Sequence, residues 1–143
     1  MRCKIIIDKA SEERVEIYAK ERTPVIEQIE RLCAADACEL VGYSGGSIVP
    51  LDATEVYAFV ADEGGAVAIT EGERLAVKMR LYELSDMLGE SFLKINQSVI
   101  VNVRKIARFE AHISGSMAVI LKNGYRDFIS RRQLKFVKER IGF

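Results

Sequence analysis

Residues 122–133 read Lys-Asn-Gly-Tyr-Arg-Asp-Phe-Ile-Ser-Arg-Arg-Gln and contain three structural signals in succession. Asn123-Gly124 predicts a hairpin turn of type I′, because that turn needs positive φ at both central residues. The hairpin would join strands over 117–122 and 125–129. Ser130 then predicts the start of a helix, since its hydroxyl can accept a free backbone N–H and Gln133 can reach back to complete a capping box.

The helix after Ser130 has two different faces. Its apolar residues recur at helical spacing and predict a buried stripe: Leu134, Val137 and Ile141. Its basic residues share another face: Arg131, Lys135 and Lys138. Arg131 and Arg132 lie in the first turn, where cations oppose the helix dipole. Two interpretations remain at this point, solvated surface arginines or a docking place for an anion such as phosphate.

Upstream of this helix the chain alternates short apolar runs with glycine-rich turns, which predicts antiparallel hairpins. The runs lie at 39–43, 47–51, 55–60, 66–70 and 74–79. A short helix is predicted over 81–88, ended by Gly89, and a further strand over 105–113. The sequence therefore predicts an α+β fold that is mostly antiparallel β with short helices.

The first 43 residues have a separate pattern. Strands are predicted over 4–8 and 14–19, joined as a hairpin through residues 10–13. Thr23 then caps a helix with Pro24 at its first position. One face of this helix is apolar: Val25, Ile26, Ile29, Leu32 and Cys33. We expect a small β-β-α unit over 1–43, too short to be stable without a covering surface, followed by a domain over 44–143.

Charge divides the chain sharply. The whole sequence is neutral, with 21 basic and 21 acidic residues. Residues 92–143 hold 11 Lys/Arg and only 3 Asp/Glu, whereas residues 1–91 hold 10 and 18. A strongly basic half suggests contact with a polyanion, and nucleic acid is the usual candidate because Lys and Arg displace counterions from phosphates.

Other classes of protein are disfavoured by the sequence. No apolar run is long enough for a membrane span, and the N-terminus is too soon interrupted by charge for a signal peptide, so we expect a cytoplasmic protein. Three cysteines without Cys-x-x-Cys spacing predict reduced thiols and no metal site. His112 has no partner at motif spacing, and no phosphate-binding glycine loop is present. We therefore expect neither an enzyme nor a cofactor.

Several spaced blocks of the C-terminal part resemble one known family. The first block is Phe92-Leu93-Lys94-Ile95-Asn96-Gln97-Ser98-Val99-Ile100-Val101-Asn102-Val103. It is followed by Ile106, by Leu121-x-Asn123-Gly124 and by Ser130-Arg131-Arg132. Together these are similar to the LytTR DNA-binding domain, over roughly residues 44–143. The family often has His and a basic residue where this chain has Asn96 and Gln97, and the loop near Gly64-Gly65-Ala66 offers no polar base-reading side chain.

The resemblance implies a bacterial transcriptional regulator that inserts loops into the major groove of duplex DNA. Arg132 and Gln97 are the expected base readers, because Arg pairs bidentately with guanine and Gln with adenine. The residues expected to contact phosphates are Lys94, Asn96, Ser98, Arg131, Lys135 and Lys138. Ser98 could instead cap a turn, and Asn102 is expected to be a structural turn residue.

The resemblance also suggests partners. Operators of this family are commonly paired repeats, so we expect a homodimer, with the 1–43 unit as its contact. Regulators of this layout are often encoded beside a small membrane protein that restrains them. The alternative is a protein-interaction module or anti-regulator that binds a partner through its acidic N-terminal half, with DNA binding weak or lost.

Overall fold

The computed structural model describes residues 4–10, 14–37 and 40–143. These fall into two compact units, one within residues 1–37 and one within residues 38–143. The boundary expected at residue 43 lies inside the first strand of the second unit, β1 (Leu40–Ser44), which pairs with two other strands of a sheet. Backbone pairing therefore assigns residues 40–43 to the second unit.

The first unit contains helix α1 (Pro24–Ala37). It begins as the sequence predicts, with the Ile26 N–H donating to Thr23 Oγ1 at 3.4 Å. The two predicted strands are wrong, because residues 4–10 and 14–23 form no strand. Residues 4–10 and 14–22 are all exposed, and a two-stranded hairpin with no third strand or covering face is marginal in water. The connecting residues 11–13 lie outside the described part of the chain.

The second unit contains a seven-stranded antiparallel sheet. Besides β1, its strands are β2 (Ser47–Leu51), β3 (Ala58–Asp62), β4 (Gly65–Ile69), β5 (Arg74–Val77), β6 (Phe92–Asn96) and β7 (Val99–Asn102). Their order in the sheet is β2-β1-β5-β4-β3-β7-β6. Hydrophobic alternation had not predicted β6 and β7. All four residues of β7 are buried, so this strand shows no alternation between a core face and a solvent face.

Helix α2 (Leu81–Leu88) covers part of this sheet and lies where the apolar spacing predicts it. A second, three-stranded antiparallel sheet follows, with strands β8 (Ile106–Ala111), β9 (Met117–Leu121) and β10 (Arg126–Ile129). Its strand order is β10-β9-β8. Helix α3 (Arg131–Ile141) follows β10. The α+β class with mostly antiparallel strands is confirmed.

The turn between β9 and β10 differs in type from the prediction. Gly124 has φ of 88°, but no non-glycine residue in the described chain has positive φ, which excludes type I′. The Gly124 N–H donates to Leu121 O at 2.9 Å, and the Leu121 N–H donates to Tyr125 O at 2.8 Å. This pattern is that of a three-residue loop with glycine in the left-handed position. Asn123 instead uses its side chain, accepting from the Tyr125 N–H at 3.0 Å.

Two hydrophobic clusters form the core of the second unit. One lies between the large sheet and α2 and contains Phe59, Leu75 and Leu84. The other joins the two sheets and α3, through residues such as Val101, Val119 and Val137. Of the buried stripe predicted for α3, Val137 is fully buried and Leu134 is half-buried, but Ile141 is exposed. Because Val137 packs in the second cluster, α3 lies against β6, the last strand of the large sheet.

Candidate nucleic-acid interface

The start of α3 is attached to the large sheet by one backbone hydrogen bond. The Ser130 N–H donates to Ile95 O on β6 at 2.8 Å. Ser130 Oγ accepts from the Gln133 N–H at 3.3 Å, so the predicted cap is present. The capping box is only half formed, because the Ser130 N–H that the Gln133 side chain would have bonded is already used by Ile95.

The turn between β6 and β7 consists of Gln97 and Ser98, between the paired residues Asn96 and Val99. Asn96 holds the turn from one side, with Oδ1 accepting from the Ser98 N–H at 2.8 Å. The Asn96 side-chain amide donates to Phe128 O on β10 at 2.9 Å. On the other side, Ser98 O accepts from the Ala61 N–H at the end of β3 at 2.7 Å. The exposed turn is thus fixed to both sheets.

Two segments that are distant in sequence therefore meet. The bond between Ser130 and Ile95 places the first turn of α3 beside the end of β6, from which the Gln97-Ser98 turn projects. Most of the predicted site residues are exposed: Lys94, Gln97, Ser98, Arg131, Arg132, Lys135 and Lys138. Asn96 is half-buried and has its amide and its oxygen in the internal bonds described above.

The cations of α3 fall on two sides of the helix. Arg131, Lys135 and Lys138 border an open groove whose other walls include Leu134 and Phe143. Arg132 lies on another side, because successive residues of a helix are turned by about 100°. Within the described residues, none of these four cations lies within ion-pair distance of a carboxylate. Their charge is therefore available to an external anion.

Two polar residues near the turn were missed by the sequence analysis. Tyr125 Oη donates to Asp127 Oδ2 at 3.0 Å, and Asp127 Oδ1 accepts from the Phe128 N–H at 2.8 Å. Burial, then the hydrogen bond to Asp127 and the charge of that carboxylate, raise the pKa of Tyr125 well above its ordinary value. Both residues alternate in phase with buried Ile129, and polar residues on the inward face of a strand were the signal available in the sequence.

Asn102 is structural, as expected. Its side chain is buried, its Nδ2 donates to Val56 O at 2.9 Å, and its Oδ1 accepts from the Arg104 N–H at 3.1 Å. His112 contacts the Phe128 ring, with 5.2 Å between the ring centroids, and shares a hydrogen bond with Arg126. Neither residue lies in the Gln97-Ser98 turn or in α3.

A metal site and a membrane-spanning helix are both absent from the described part of the chain. No cluster of three or more His, Cys, Asp or Glu residues able to hold a metal is found there. No helix among those residues is long and apolar enough to cross a membrane. Cys33 is exposed and forms no disulfide with another described residue. Cys3 and Cys38 lie outside the described residues.

Three comparisons with known proteins agree with this architecture. The family model described as the LytTr DNA-binding domain matches residues 46–142. HTH-type transcriptional regulators of Staphylococcus aureus strains NCTC 8325 and COL are each 34% identical over 102 residues, which is 71% of this chain and 69% of theirs. A LytTr DNA-binding domain from Bacillus cereus has the same fold, with a TM-score of 0.68 at 20% identity, covering 74% of this chain and 99% of that one.

The family match spans well over half of the chain and contains both segments that meet at the start of α3. The family consists of DNA-binding domains of transcription regulators and is not a family of enzymes. The chain belongs to the LytTR family of DNA-binding domains.

Proposed function

We propose that this protein is a bacterial transcriptional regulator that recognises specific duplex DNA with the Gln97-Ser98 turn and the first turn of α3. The observation that carries the proposal is the 2.8 Å bond from the Ser130 N–H to Ile95 O, which holds these two segments side by side. Both segments are exposed and belong to the strongly basic part of the chain. Together they form a loop-and-helix-start surface for the major groove.

Within this surface we assign two kinds of contact. Arg132 and Gln97 read bases, since their side chains can form bidentate bonds to guanine and adenine. The remaining exposed residues position the duplex through its phosphates: Lys94, Ser98, Arg131, Lys135 and Lys138. Asn96 was expected to contact phosphate, but its amide and oxygen already bond within the protein. We therefore propose that Asn96 contributes by fixing the turn.

We further propose that the regulator acts as a cytoplasmic homodimer on paired DNA repeats. The support is the apolar side of α1, where Val25 and Leu32 are 50% and 69% exposed. An isologous contact between two copies would let identical domains address two equivalent half-sites. A small membrane protein that restrains the regulator is a further proposed partner, supported only by the resemblance to the family.

The experiment is selection of bound sequences from random duplexes, followed by titration of the full chain with the selected duplex in a salt series. If the four cations assigned to phosphates each neutralise one phosphate, log K should fall linearly with log salt with a slope of about −3.6 for each bound copy. Fluorescence anisotropy of a labelled duplex measures K at each salt concentration. A matched scrambled duplex should bind more weakly at every salt concentration.

The opposite outcome has a clear meaning. Failure to enrich any sequence, together with an affinity that does not change with salt, would contradict DNA recognition. It would favour the second candidate, a protein-interaction module whose acidic residues 1–91 bind a partner. The surplus of carboxylates in those residues, 18 against 10 basic residues, is the observation behind that candidate.

A further inference from the structure

A chain of side-chain hydrogen bonds connects the interior of the three-stranded sheet with the Gln97-Ser98 turn. It begins at Tyr125, whose half-buried hydroxyl donates to Asp127 Oδ2 at 3.0 Å. The other carboxylate oxygen accepts from the Phe128 N–H at 2.8 Å and lies 3.5 Å from Asn96 Nδ2. Asp127 thereby fixes the strand segment to which Asn96 is bonded.

Asn96 transmits this order to the turn. Its amide donates to Phe128 O at 2.9 Å, while its oxygen accepts from the Ser98 N–H at 2.8 Å. The side chain therefore has no freedom to rotate without breaking a bond at one end. Because Gln97 lies between Asn96 and Ser98, fixing both neighbours also fixes the direction of its backbone.

The carboxylate of Asp127 stands where charge alone would disfavour it. It is one of only three acidic side chains in residues 92–143. It adjoins a surface proposed to contact DNA phosphates, which would repel its negative charge. Tyr125 cannot neutralise it by proton transfer, because burial and the Asp127 bond keep the phenol protonated. A structural function in holding Asn96 accounts for a carboxylate at this position.

We propose that Tyr125, Asp127 and Asn96 are positioning residues that set the sequence selectivity of DNA binding by holding the Gln97-Ser98 turn in its reading geometry. The inference rests on the proposed function. Base contacts depend on the geometry of this turn, whereas most phosphate contacts come from α3. Fixing a loop before it binds removes the entropy cost of ordering it in the complex. Loss of the network should therefore lower selectivity more than general affinity for DNA.

The test uses the full chain with Tyr125→Phe, which removes only the hydroxyl, and the matched control Tyr82→Phe on an exposed residue of α2. Affinities are measured for the selected duplex and for a scrambled duplex at one salt concentration. Loss of one hydrogen bond from the network should reduce the ratio of the two affinities about fivefold. Binding of the scrambled duplex and both affinities of the control should stay within about twofold.

A double variant tests whether Tyr125 acts through Asn96. Asn96→Ala should reduce the affinity ratio at least as much as Tyr125→Phe, and adding Tyr125→Phe to it should cause no further loss, because coupled residues are not additive. Equal losses on both duplexes, or additive losses in the double variant, would overturn the inference and leave Tyr125 with a general stabilising function.

A measurement without DNA separates this inference from the proposed function. The Ser98 amide proton should exchange with solvent several-fold faster in Tyr125→Phe than in the wild type or in Tyr82→Phe, since its bond to Asn96 is weakened. Unchanged Ser98 exchange would refute the network. Absence of selective binding by the wild-type chain would refute the proposed function, and with it the assignment of selectivity to the network.

Discussion

At the scale of single residues, Arg132 and Lys135 lie on the same helix but should contribute differently to binding. Arg132 follows the first residue of α3 and can reach a base edge, whereas Lys135 lies a turn later on the face shared with Arg131 and Lys138. We expect Arg132→Ala to cost about 1–3 kcal/mol on the preferred duplex and to relax the preference at one base pair.

Lys135→Ala is the matched comparison. It should weaken preferred and scrambled duplexes equally and reduce the salt slope by about 1, as the loss of one phosphate contact does. Anisotropy titrations with a set of single-base variants of the duplex measure both effects. If Arg132→Ala also weakened every duplex equally, Arg132 would be another phosphate contact.

The buried amide of Asn102 gives a stability prediction. Asn102→Ala would leave the buried Val56 carbonyl and the Arg104 N–H without their bonds to this side chain. An unsatisfied buried polar group costs about 1–3 kcal/mol, so we expect a loss of about 3 kcal/mol in the free energy of unfolding. Urea denaturation of the full chain measures it.

Asn123→Ala is the control for this effect. Asn123 is half-buried and bonds Thr70 O at 3.2 Å and the Tyr125 N–H at 3.0 Å. Water can replace these bonds, so the expected loss is about 1 kcal/mol. Equal losses for the two substitutions would show that burial of the Asn102 site does not decide its contribution.

At the scale of elements, the hairpin of β3 and β4 contains two adjacent glycines with different requirements. Gly64 has φ of 76° and open space around it, whereas a Cβ on Gly65 would lie 2.2 Å from Val77 O of β5. Gly64→Ala should cost about 1–2 kcal/mol, the penalty for a left-handed alanine. Gly65→Ala should cost about 3 kcal/mol, because the backbone of a neighbouring strand must move.

Thermal or urea unfolding of the two glycine variants provides the comparison. The prediction is that Gly65→Ala loses more free energy of unfolding than Gly64→Ala. A larger loss for Gly64→Ala would mean that the β5 backbone at Val77 moves away from the added Cβ at little cost. The Ala61 N–H, on the same hairpin, bonds Ser98 O at 2.7 Å. Because Gly65→Ala should displace this hairpin and disturb that bond, it should also weaken selective DNA binding.

At the scale of the whole molecule, the exposed apolar side of α1 leads to a prediction about assembly. Leu32→Asp should shift a dimer toward monomer, since Leu32 is 69% exposed and its removal vacates no core position. Affinity for a paired DNA repeat should then fall more than affinity for a single half-site, because linked sites gain from effective concentration. Analytical ultracentrifugation and half-site titrations measure the two effects.

Arg31→Asp is the control for assembly, because Arg31 lies on the opposite, exposed side of α1 by helical spacing. It should leave both the oligomeric state and the preference for paired repeats unchanged. A wild-type chain that sediments as a monomer at tens of micromolar, without DNA, would contradict the proposed dimer.

Local sequence signals predicted the elements whose stability is decided within a few residues. Thr23-Pro24 and Ser130 start helices because a side-chain oxygen or a fixed φ acts on the next turn alone. Glycine-rich turns separated the strands of the large sheet for the same reason. The predicted type of the Asn123-Gly124 turn was wrong, since Asn123 does not have positive φ. Asn123 also bonds Thr70 O in another turn, a contact that the local sequence does not show.

Periodicity, charge and local motifs were enough to predict the α+β class, the basic C-terminal part and the residues of the LytTR blocks. Which of these residues lie together depends on contacts between distant segments. Ile95 and Ser130 are distant in the chain, and their bond depends on the packing of α3 and β10 against β6. The same packing placed Asp127 beside Asn96, the residue before the Gln97-Ser98 turn. Such contacts follow from the burial of whole faces, because the free energy of burial depends on which surfaces meet and not on the neighbours of one residue in sequence.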